Sequence, residues 1–417
     1  MAVRGEGRRA QLLVLSLAFV AMFASAPGQS FLIAVFVDEI LDGAGISRTA
    51  FAGLYAAATV VSASAMVAVG RAADRSGLRA VWIVVGLGLA LACALASVIQ
   101  GLLLAFVALA LLRTFGQGSF PLVATLLVNR WFGGRRGQAM AVASFGLTAA
   151  GVVLPPLVVL LVIHVGWENA YRILGLALLA VVLPLAILVR EPSGGRGRID
   201  LPVPGAGRFP RGLRSSRRLP RLTLPTRRAA RLLLVLSASP LILTAIIFHA
   251  VSLLGARGLS LTEAGLALSL LGLASAAGTV AGGAIADRIS TRALLSGTSA
   301  LLAASVAILV VHGRPAAYLA FVVLGFAGGL FGIASGIVWA RTYGLEQLGR
   351  LQGASFAVQI AAAAAGPLPL ALSLAAADSY TPALIGLAAY GGLTLAVALR
   401  WRDPRAVRRR YSSSPST

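Results

Sequence analysis

The chain has 417 residues, of which 58% are hydrophobic and only 12% are charged, and its mean hydropathy is +0.90. Soluble domains are about 45–50% apolar and about 25% charged, so this composition excludes a water-soluble globular protein and a disordered one. The net charge of +23 comes from arginines in short clusters between long apolar segments, which is the pattern of membrane-protein loops rather than of a nucleic-acid-binding surface.

Twelve apolar segments are long enough to cross a bilayer, which takes about 20 residues. We number them spans 1 to 12, and in chain order they are 11–37, 48–70, 80–99, 102–129, 138–163, 170–190, 231–255, 262–285, 293–312, 316–340, 353–375 and 380–400. The sequence therefore predicts an all-α polytopic membrane protein with twelve transmembrane helices. We expect the protein to be embedded in the lipid bilayer and to have no nucleic-acid partner.

The arginines also predict the orientation of the chain. Most of them lie near the two termini or in the connections between spans 2 and 3, 4 and 5, 6 and 7, 8 and 9, and 10 and 11. The opposite connections hold only Arg48, Arg172, Arg257 and Arg314. Because positively charged loops stay in the cytoplasm, we expect both termini on the cytoplasmic side of the inner (cytoplasmic) membrane.

The chain divides into two parts of six spans each. We expect an N-terminal half at 1–190, a basic cytoplasmic linker at 191–230, a C-terminal half at 231–400 and a basic cytoplasmic tail at 401–417. The linker is rich in Arg, Pro and Gly and has no sustained apolar periodicity, as is typical of a connection between domains. Spans 1–6 are called the N-half below, and spans 7–12 the C-half.

The two halves resemble each other in sequence. The segment Gly70–Arg75, which starts with glycine and ends in Asp-Arg, recurs after span 8 as Gly283–Arg288, 213 positions later. Pro156 and Pro369 are separated by the same 213 positions. Internal duplication of this kind is typical of transporters, in which the substrate site lies between the two repeats.

Residues 70–79, Gly-Arg-Ala-Ala-Asp-Arg-Ser-Gly-Leu-Arg, resemble the loop signature G-x-x-x-D-R-x-G-R-[RK] of the major facilitator superfamily. Leu78 replaces a basic residue of the signature, and Ser290 replaces the later glycine in the second copy. The resemblance implies a secondary transporter that moves a small molecule by alternating access. We expect a monomer that is not an enzyme and needs no cofactor or metal. The implied gating motif consists of Gly70, Asp74, Arg75, Gly77, Arg79, Gly283, Asp287, Arg288 and Arg292.

Three further segments, Pro27–Phe31, Arg113–Gly118 and Trp131–Met140, resemble the bacterial monocarboxylate-porter and oxalate–formate-antiporter branch of that superfamily. This finer resemblance implies that the substrate is a small organic anion such as a monocarboxylate. Spans 8 and 11 lack the cations that anion-transporting relatives often carry there. Two alternatives therefore stay open: a drug or metabolite exporter of the same superfamily, and a non-transporting membrane sensor.

The repeated aspartates suggest a gate between the halves. Asp74 would meet the amino end of span 11 near Gly353, and Asp287 would meet the start of span 5 near Gln138. A helix amino terminus carries a partial positive charge, so each carboxylate would bind the opposite half on the cytoplasmic side. Arg75, Arg79 and Arg288 are expected to complete the charge network. The alternative is that all these charges only solvate loop ends.

Four polar side chains are candidates for the central cavity. Arg113 lies near the middle of span 4, where a charge is costly and by default functional, and Gln117 follows one turn later. Gln29 lies in span 1 and His249 in span 7, and the resemblance implies that spans 1, 4, 7 and 10 line the cavity. Arg113 contacts the substrate or supports the fold, and the sequence leaves both open. For the other three, hydrogen bonding between helices is the alternative.

Coupling to protons is a further open possibility, although no carboxylate lies in the middle of a span. A coupled proton needs a group that titrates during the cycle. The candidates are Asp38 and Glu39 at the outer end of span 1, and His249.

Overall fold

The computed structural model describes residues 2–46, 48–189, 227–311 and 313–401, and within these ranges the regular structure is entirely helical. Twelve helices there are long and apolar enough to cross a membrane, which confirms the predicted all-α fold with twelve spans. Their bounds are Arg9–Gly28, Gly53–Arg75, Leu78–Ala96, Gly101–Trp131, Arg136–Val165, Trp167–Leu185, Arg227–Phe248, Glu263–Ala286, Thr291–Val310, Arg314–Tyr343, Leu348–Ala377 and Thr381–Leu399.

Most spans are single α-helices. Spans 2, 3, 5, 6, 8, 9, 10 and 12 correspond to the helices Arg48–Arg75, Leu78–Ala96, Arg136–Val165, Trp167–Leu185, Leu261–Ala286, Thr291–Val310, Arg314–Tyr343 and Thr381–Leu399. The linker predicted at 191–230 lies outside the described residues up to residue 226. Its last four positions open the helix of span 7, which begins at Arg227. The predicted tail lies outside them too, apart from the buried Trp401.

Span 1 is broken, although the sequence predicted one continuous helix over 11–37. Its pieces are Ala2–Ala24, Ala26–Gly28, Ser30–Ile33, Ala34–Phe36 and Val37–Ala44. Pro27 cannot donate a backbone hydrogen bond, and glycine, as at position 28, has a low helix propensity. The pair therefore interrupts the helix within a segment that is largely apolar. The hydropathy of the segment therefore predicted its position but not its shape.

Span 4 is also interrupted, by a π-helical segment. The α-helices Gly101–Leu111 and Phe120–Trp131 flank the π-segment Leu112–Ser119. Its wider hydrogen bonding is visible in Phe120, whose N–H donates to the carbonyl of Phe115, five residues earlier. The Ser119 hydroxyl likewise donates to the Thr114 carbonyl, at 2.7 Å. Such segments are rare and occur mostly at functional sites.

Spans 7 and 11 break near the same end of the bundle. Span 7 runs from Arg227 to Phe248 and continues after His249 as the short helix Ala250–Gly255. Span 11 consists of Leu348–Ala365 and Pro367–Ala377, because Pro367 cannot continue the hydrogen-bond ladder.

The two halves pack together mainly at one end of the bundle. We call this the arginine-rich end; it holds the connections between spans 2 and 3, 4 and 5, 8 and 9, and 10 and 11. Span 2 packs along span 11, span 5 along span 8, and span 4 contacts span 10. Gly70 lies against the backbone of Gly349, and Gly353 against that of Met66, so closely that a Cβ atom would not fit. These glycines bring the backbones of the two halves into direct contact.

Candidate functional site

Asp74, in the last turn of span 2, binds the amino end of span 11. Its Oδ1 accepts a hydrogen bond from the backbone N–H of Gly349 at 2.9 Å, and its Oδ2 accepts one from Arg350 at 2.8 Å. Both donors lie in the first turn of a helix, where backbone N–H groups have no partner within the helix. The Nη2 of Arg130 lies 3.2 Å from Oδ1. We call this contact the Asp74 clamp.

Asp287, directly after span 8, makes the equivalent contact with span 5. The backbone N–H of Gly137 lies 3.0 Å from both carboxylate oxygens, and that of Gln138 lies 3.3 Å from Oδ2. The Nη2 of Arg341 donates to Oδ1 at 3.0 Å. We call this contact the Asp287 clamp. Each clamp thus joins one half to the other through a carboxylate at a helix amino terminus.

The arginines of the clamps differ from those expected. The side chains of Arg75, Arg79, Arg288 and Arg292 are exposed. Within the described ranges the clamp carboxylates pair with Arg130 and Arg341 instead, at the ends of spans 4 and 10. The available signal for these two was their place, since each is the basic residue in the last turn of its span, and spans 4 and 10 are equivalent in the two halves.

The glycines of the gating motif have different roles. Gly70 and Gly283 lie at close contacts between the halves, where a Cβ atom would collide with Gly349 and with Ala141 respectively. Gly77 precedes the helix of span 3 with a φ of 84°, which favours glycine. Its counterpart Ser290 has an extended backbone and caps span 9 by accepting a hydrogen bond from the N–H of Ala293. The helix of span 9 therefore begins with a serine cap, whereas that of span 3 begins after a glycine with positive φ.

Arg113 opens the π-segment of span 4 and is almost completely buried, with 3% of its surface exposed. Its Nε donates to the hydroxyl of Thr59 at 3.2 Å, and its Nη1 donates to Tyr55 at 2.7 Å and to Ser30 at 3.2 Å. Its Cζ also lies 4.5 Å from the centre of the Tyr55 ring, a cation–π distance. All of these partners are neutral. Among the described residues no carboxylate pairs with this guanidinium, and its Nη2 makes no hydrogen bond.

Two glycines bring spans 1 and 4 together beside Arg113. Gly28 lies against the backbone of Leu112 and Gly116 in the π-segment, with no room for a Cβ atom on either glycine. The break of span 1 therefore lies on the π-segment of span 4, which places Ser30 within reach of Arg113. Ser30, Tyr55 and Thr59 were not predicted from the sequence. Tyr55 and Thr59 are spaced i, i+4 and so lie on one face of the helix of span 2, and that spacing was the available signal.

The remaining cavity candidates do not join this hydrogen-bond network. Gln29 donates to the hydroxyl of Ser25 within span 1, at 3.1 Å. The Oε1 of Gln117 is buried and has no partner among the described residues. His249 lies at the break of span 7, where its Nε2 is 3.1 Å from the carbonyl of Pro367 at the break of span 11. Across the described ranges, no three His, Cys, Asp or Glu side chains group as metal ligands.

The fold and these contacts define a polytopic membrane protein built from two similar six-helix halves. The chain belongs to the Major Facilitator Superfamily, whose family model matches residues 17–260 and 232–415. Members of this superfamily are transporters that bind small molecules, so the chain is a membrane transporter, as predicted. No match is found among curated proteins.

Solved structures with the same fold come from distinct transporters. The human organic anion transporter MFSD10 (TETRAN) has 18% identity and a TM-score of 0.70, with 93% of this chain and 99% of that chain covered. FucP in the outward conformation has 16% identity and a TM-score of 0.71, with 97% and 100% covered. A variant of the E. coli fucose:proton symporter FucP has 15% identity and a TM-score of 0.70, with the same coverage. At these identities the likeness establishes the fold alone.

Proposed function

We propose that the protein is a secondary active transporter that carries a small organic anion, such as a monocarboxylate, across the cytoplasmic membrane. The observation that supports this substrate class is the environment of Arg113. A buried guanidinium keeps its charge and costs several kcal/mol unless it is paired. Here three neutral hydroxyl groups and the face of the Tyr55 ring hold it, and its Nη2 has no hydrogen bond to the described residues. The carboxylate of a substrate supplies the missing negative charge.

The two clamps support transport by alternating access. We infer from the arginine distribution that the arginine-rich end and both termini face the cytoplasm. Both clamps then hold the halves together on the cytoplasmic side, and their release opens a path to the cytoplasm. The linker between the halves and a monomeric state are part of the same proposal. Protons are the candidate coupling ion, with Asp38, Glu39 or His249 as the titrating group.

The similar structures include an organic anion transporter and a fucose:proton symporter, so the fold serves both charged and neutral substrates. The choice therefore depends on Arg113 and not on the fold. A drug or metabolite exporter is the second candidate, because the six spans of the C-half contain no cation in their central part. Such an exporter would favour lipophilic compounds over small acids.

The test is ligand-dependent thermal stabilisation of the purified full-length protein with a panel of monocarboxylates, dicarboxylates and lipophilic cations. We expect a monocarboxylate to raise the melting temperature of the wild type. Arg113→Ala should abolish this effect, and Arg113→Lys, which keeps the charge but loses the guanidinium geometry, should weaken binding roughly tenfold. Arg172→Ala is the matched control, because Arg172 is exposed and bonds only its neighbour Asn169 among the described residues.

Two results would contradict the proposal. If Arg113→Ala melts at a lower temperature but binds the acid with unchanged affinity, Arg113 is structural. If only lipophilic cations stabilise the wild type, the exporter is the better description.

A further inference from the structure

The amide of Asn129 connects the two halves at a point that neither clamp occupies. Asn129 lies near the end of span 4, and none of its surface is exposed. Its Nδ2 donates to the carbonyl of Gly336 in span 10 at 2.5 Å, and to the carbonyl of Thr125 in its own helix at 2.8 Å. The first bond crosses from the N-half to the C-half. The Asp74 clamp joins spans 2 and 11 and the Asp287 clamp joins spans 5 and 8, so this bond adds a third pair, spans 4 and 10.

We propose that Asn129 is a positioning residue that holds spans 4 and 10 in register when the arginine-rich end is closed. The inference rests on the alternating access proposed above. The Asn129 contact differs from the clamps in two physical respects. It is neutral and fully buried, whereas the clamp carboxylates retain 20% and 11% exposure and are ionic. Salt therefore screens the clamps in part but leaves the Asn129 contact unchanged.

Gly336 makes this contact possible from the other side. A Cβ atom at Gly336 would lie 2.9 Å from the Cγ and Sδ of Met140, which belongs to span 5 of the N-half. The glycine therefore lets the two halves approach until the amide of Asn129 reaches its carbonyl. A methyl group at this position acts as a wedge between the halves and leaves Asn129 itself intact.

The contact breaks the similarity between the halves. Asn129 directly precedes the clamp arginine Arg130, whereas Ala340 directly precedes the equivalent Arg341. Spans 4 and 10 are equivalent helices that face each other, so a single donor on one of them is sufficient. The two halves therefore share the clamps, whereas this donor occurs in the N-half only.

Gln352 provides a matched control within the same region. It is also completely buried, and its Nε2 donates at 3.1 Å to the carbonyl of Ser335, the neighbour of Gly336. Gln352 and Ser335 both belong to the C-half. Removing the Gln352 amide therefore removes a similar buried bond without separating the halves.

The experiment measures the distance between the halves, and it needs no substrate. Spin labels are placed at the exposed positions Ser76 and Glu346 in a Cys93→Ser background, since Cys93 is the one natural cysteine. Double electron–electron resonance then measures the distances between the two labels, and their distribution gives the ratio of molecules with an open arginine-rich end to molecules with a closed one. We expect Asn129→Ala and Gly336→Ala each to raise this ratio by roughly two- to tenfold, the effect of one buried hydrogen bond. The increase should be the same at low and at high salt.

The controls are Gln352→Ala and Gly332→Ala, and both should leave the ratio unchanged. Gly332 lies one turn before Gly336 and has open space where a Cβ atom would be. The inference is wrong if Asn129→Ala leaves the ratio unchanged, if Gln352→Ala shifts it equally, or if high salt abolishes the shift. If Asn129→Ala does not fold, the comparison of Gly336→Ala with Gly332→Ala decides. A single distance population in every variant would contradict alternating access itself, whereas two populations insensitive to Asn129 contradict only this inference.

Discussion

The two halves of the molecule share their clamps but not the polar chemistry of their membrane interior. Asp74 and Asp287 each bind the amino end of a helix in the other half and pair with an arginine at the end of span 4 or span 10. Seventeen positions before Arg130 lies Arg113, whereas the same distance before Arg341 lies the buried Leu324. Duplication has thus preserved the contacts that join the halves, while the charge proposed to bind substrate occurs in one half only.

The helix breaks show the same combination of likeness and difference. Phe36 and His249, 213 positions apart, have nearly the same backbone conformation, with φ, ψ of −108°, 7° and −98°, 9°. Phe36 stacks on Tyr171 within the N-half. His249 binds the carbonyl of Pro367 and lies near Tyr380 within the C-half. The helix break therefore occurs in both repeats, whereas the side chain at the break makes different contacts in each half, always within that half.

The largest expected effect on the ratio of open to closed molecules comes from substituting the carboxylate of one clamp at a time. Asp74→Asn should shift the spin-label ratio toward the open arginine-rich end by roughly tenfold to a hundredfold, because it removes hydrogen bonds to a charged group. Asp287→Asn should shift it less. The two oxygens of Asp74 bind two separate N–H groups, and asparagine retains only one acceptor. Oδ2 of Asp287 accepts from the N–H groups of both Gly137 and Gln138, so the single amide oxygen of an asparagine can keep both bonds.

The same labels at Ser76 and Glu346 measure both variants, and salt provides the control. High salt should shift the wild type in the same direction as these variants, since the clamps are partly exposed. An unchanged ratio in Asp74→Asn would show that the carboxylate does not hold the halves together.

A smaller effect is expected from Tyr55→Phe, which tests whether anion binding depends on the polar residues of the N-half alone. The substitution removes the hydroxyl that accepts from Arg113 and leaves the ring for the cation–π contact. We expect anion affinity to fall by roughly tenfold, the value of one hydrogen bond to a charged group at the low end of its range. Isothermal titration calorimetry measures it. Tyr318→Phe, in span 10 of the C-half, is the control, and an equal loss there would remove the distinction between the halves.

The smallest effect on binding is expected from His249→Ala. The variant loses the bond between the breaks of spans 7 and 11, so its melting temperature should fall by a few degrees, as for a loss of about 1 kcal/mol. Its anion affinity should stay within about twofold of the wild type, because the bonded partners of Arg113 all lie in the N-half. A loss of affinity comparable to that of Arg113→Ala would place His249 in the binding site as well.

The sequence was sufficient for the fold because membrane-spanning helices can be recognised from long segments of high hydropathy. The repeated Gly70–Arg75 segment revealed the duplication. It also led to Asp74 and Asp287 near the correct helix ends, although Asp74 meets Gly349 one turn before the expected Gly353. That difference arises because span 11 begins at Leu348, in a polar turn that an apolar window does not include. The arginine partners were wrong for a related reason: charge clusters in a loop show where positive residues lie, but not which of them face inward.

The surroundings of Arg113 were beyond the sequence. Ser30 reaches it only because span 1 breaks at Pro27 and Gly28 and lies on span 4 at that point. A hydropathy profile treats span 1 as one helix and does not show which residues Ser30 faces. The partner of His249 was equally hidden, since the carbonyl of Pro367 becomes available only where span 11 breaks.

The π-segment of span 4 marks a difference in length between the two repeats. Gly101 and Gly313 open spans 4 and 10 with a positive φ and lie 212 positions apart, whereas Arg130 and Arg341 at the other ends lie 211 apart. Span 4 thus contains one residue more than span 10 between the same landmarks, and a turn that bonds to the fifth preceding residue accommodates it. In an uninterrupted α-helix one extra residue would turn everything before it by about 100° relative to the clamp end, whereas the wider turn takes it up within Leu112–Ser119. Arg113 therefore lies in the segment where the two repeats differ in length.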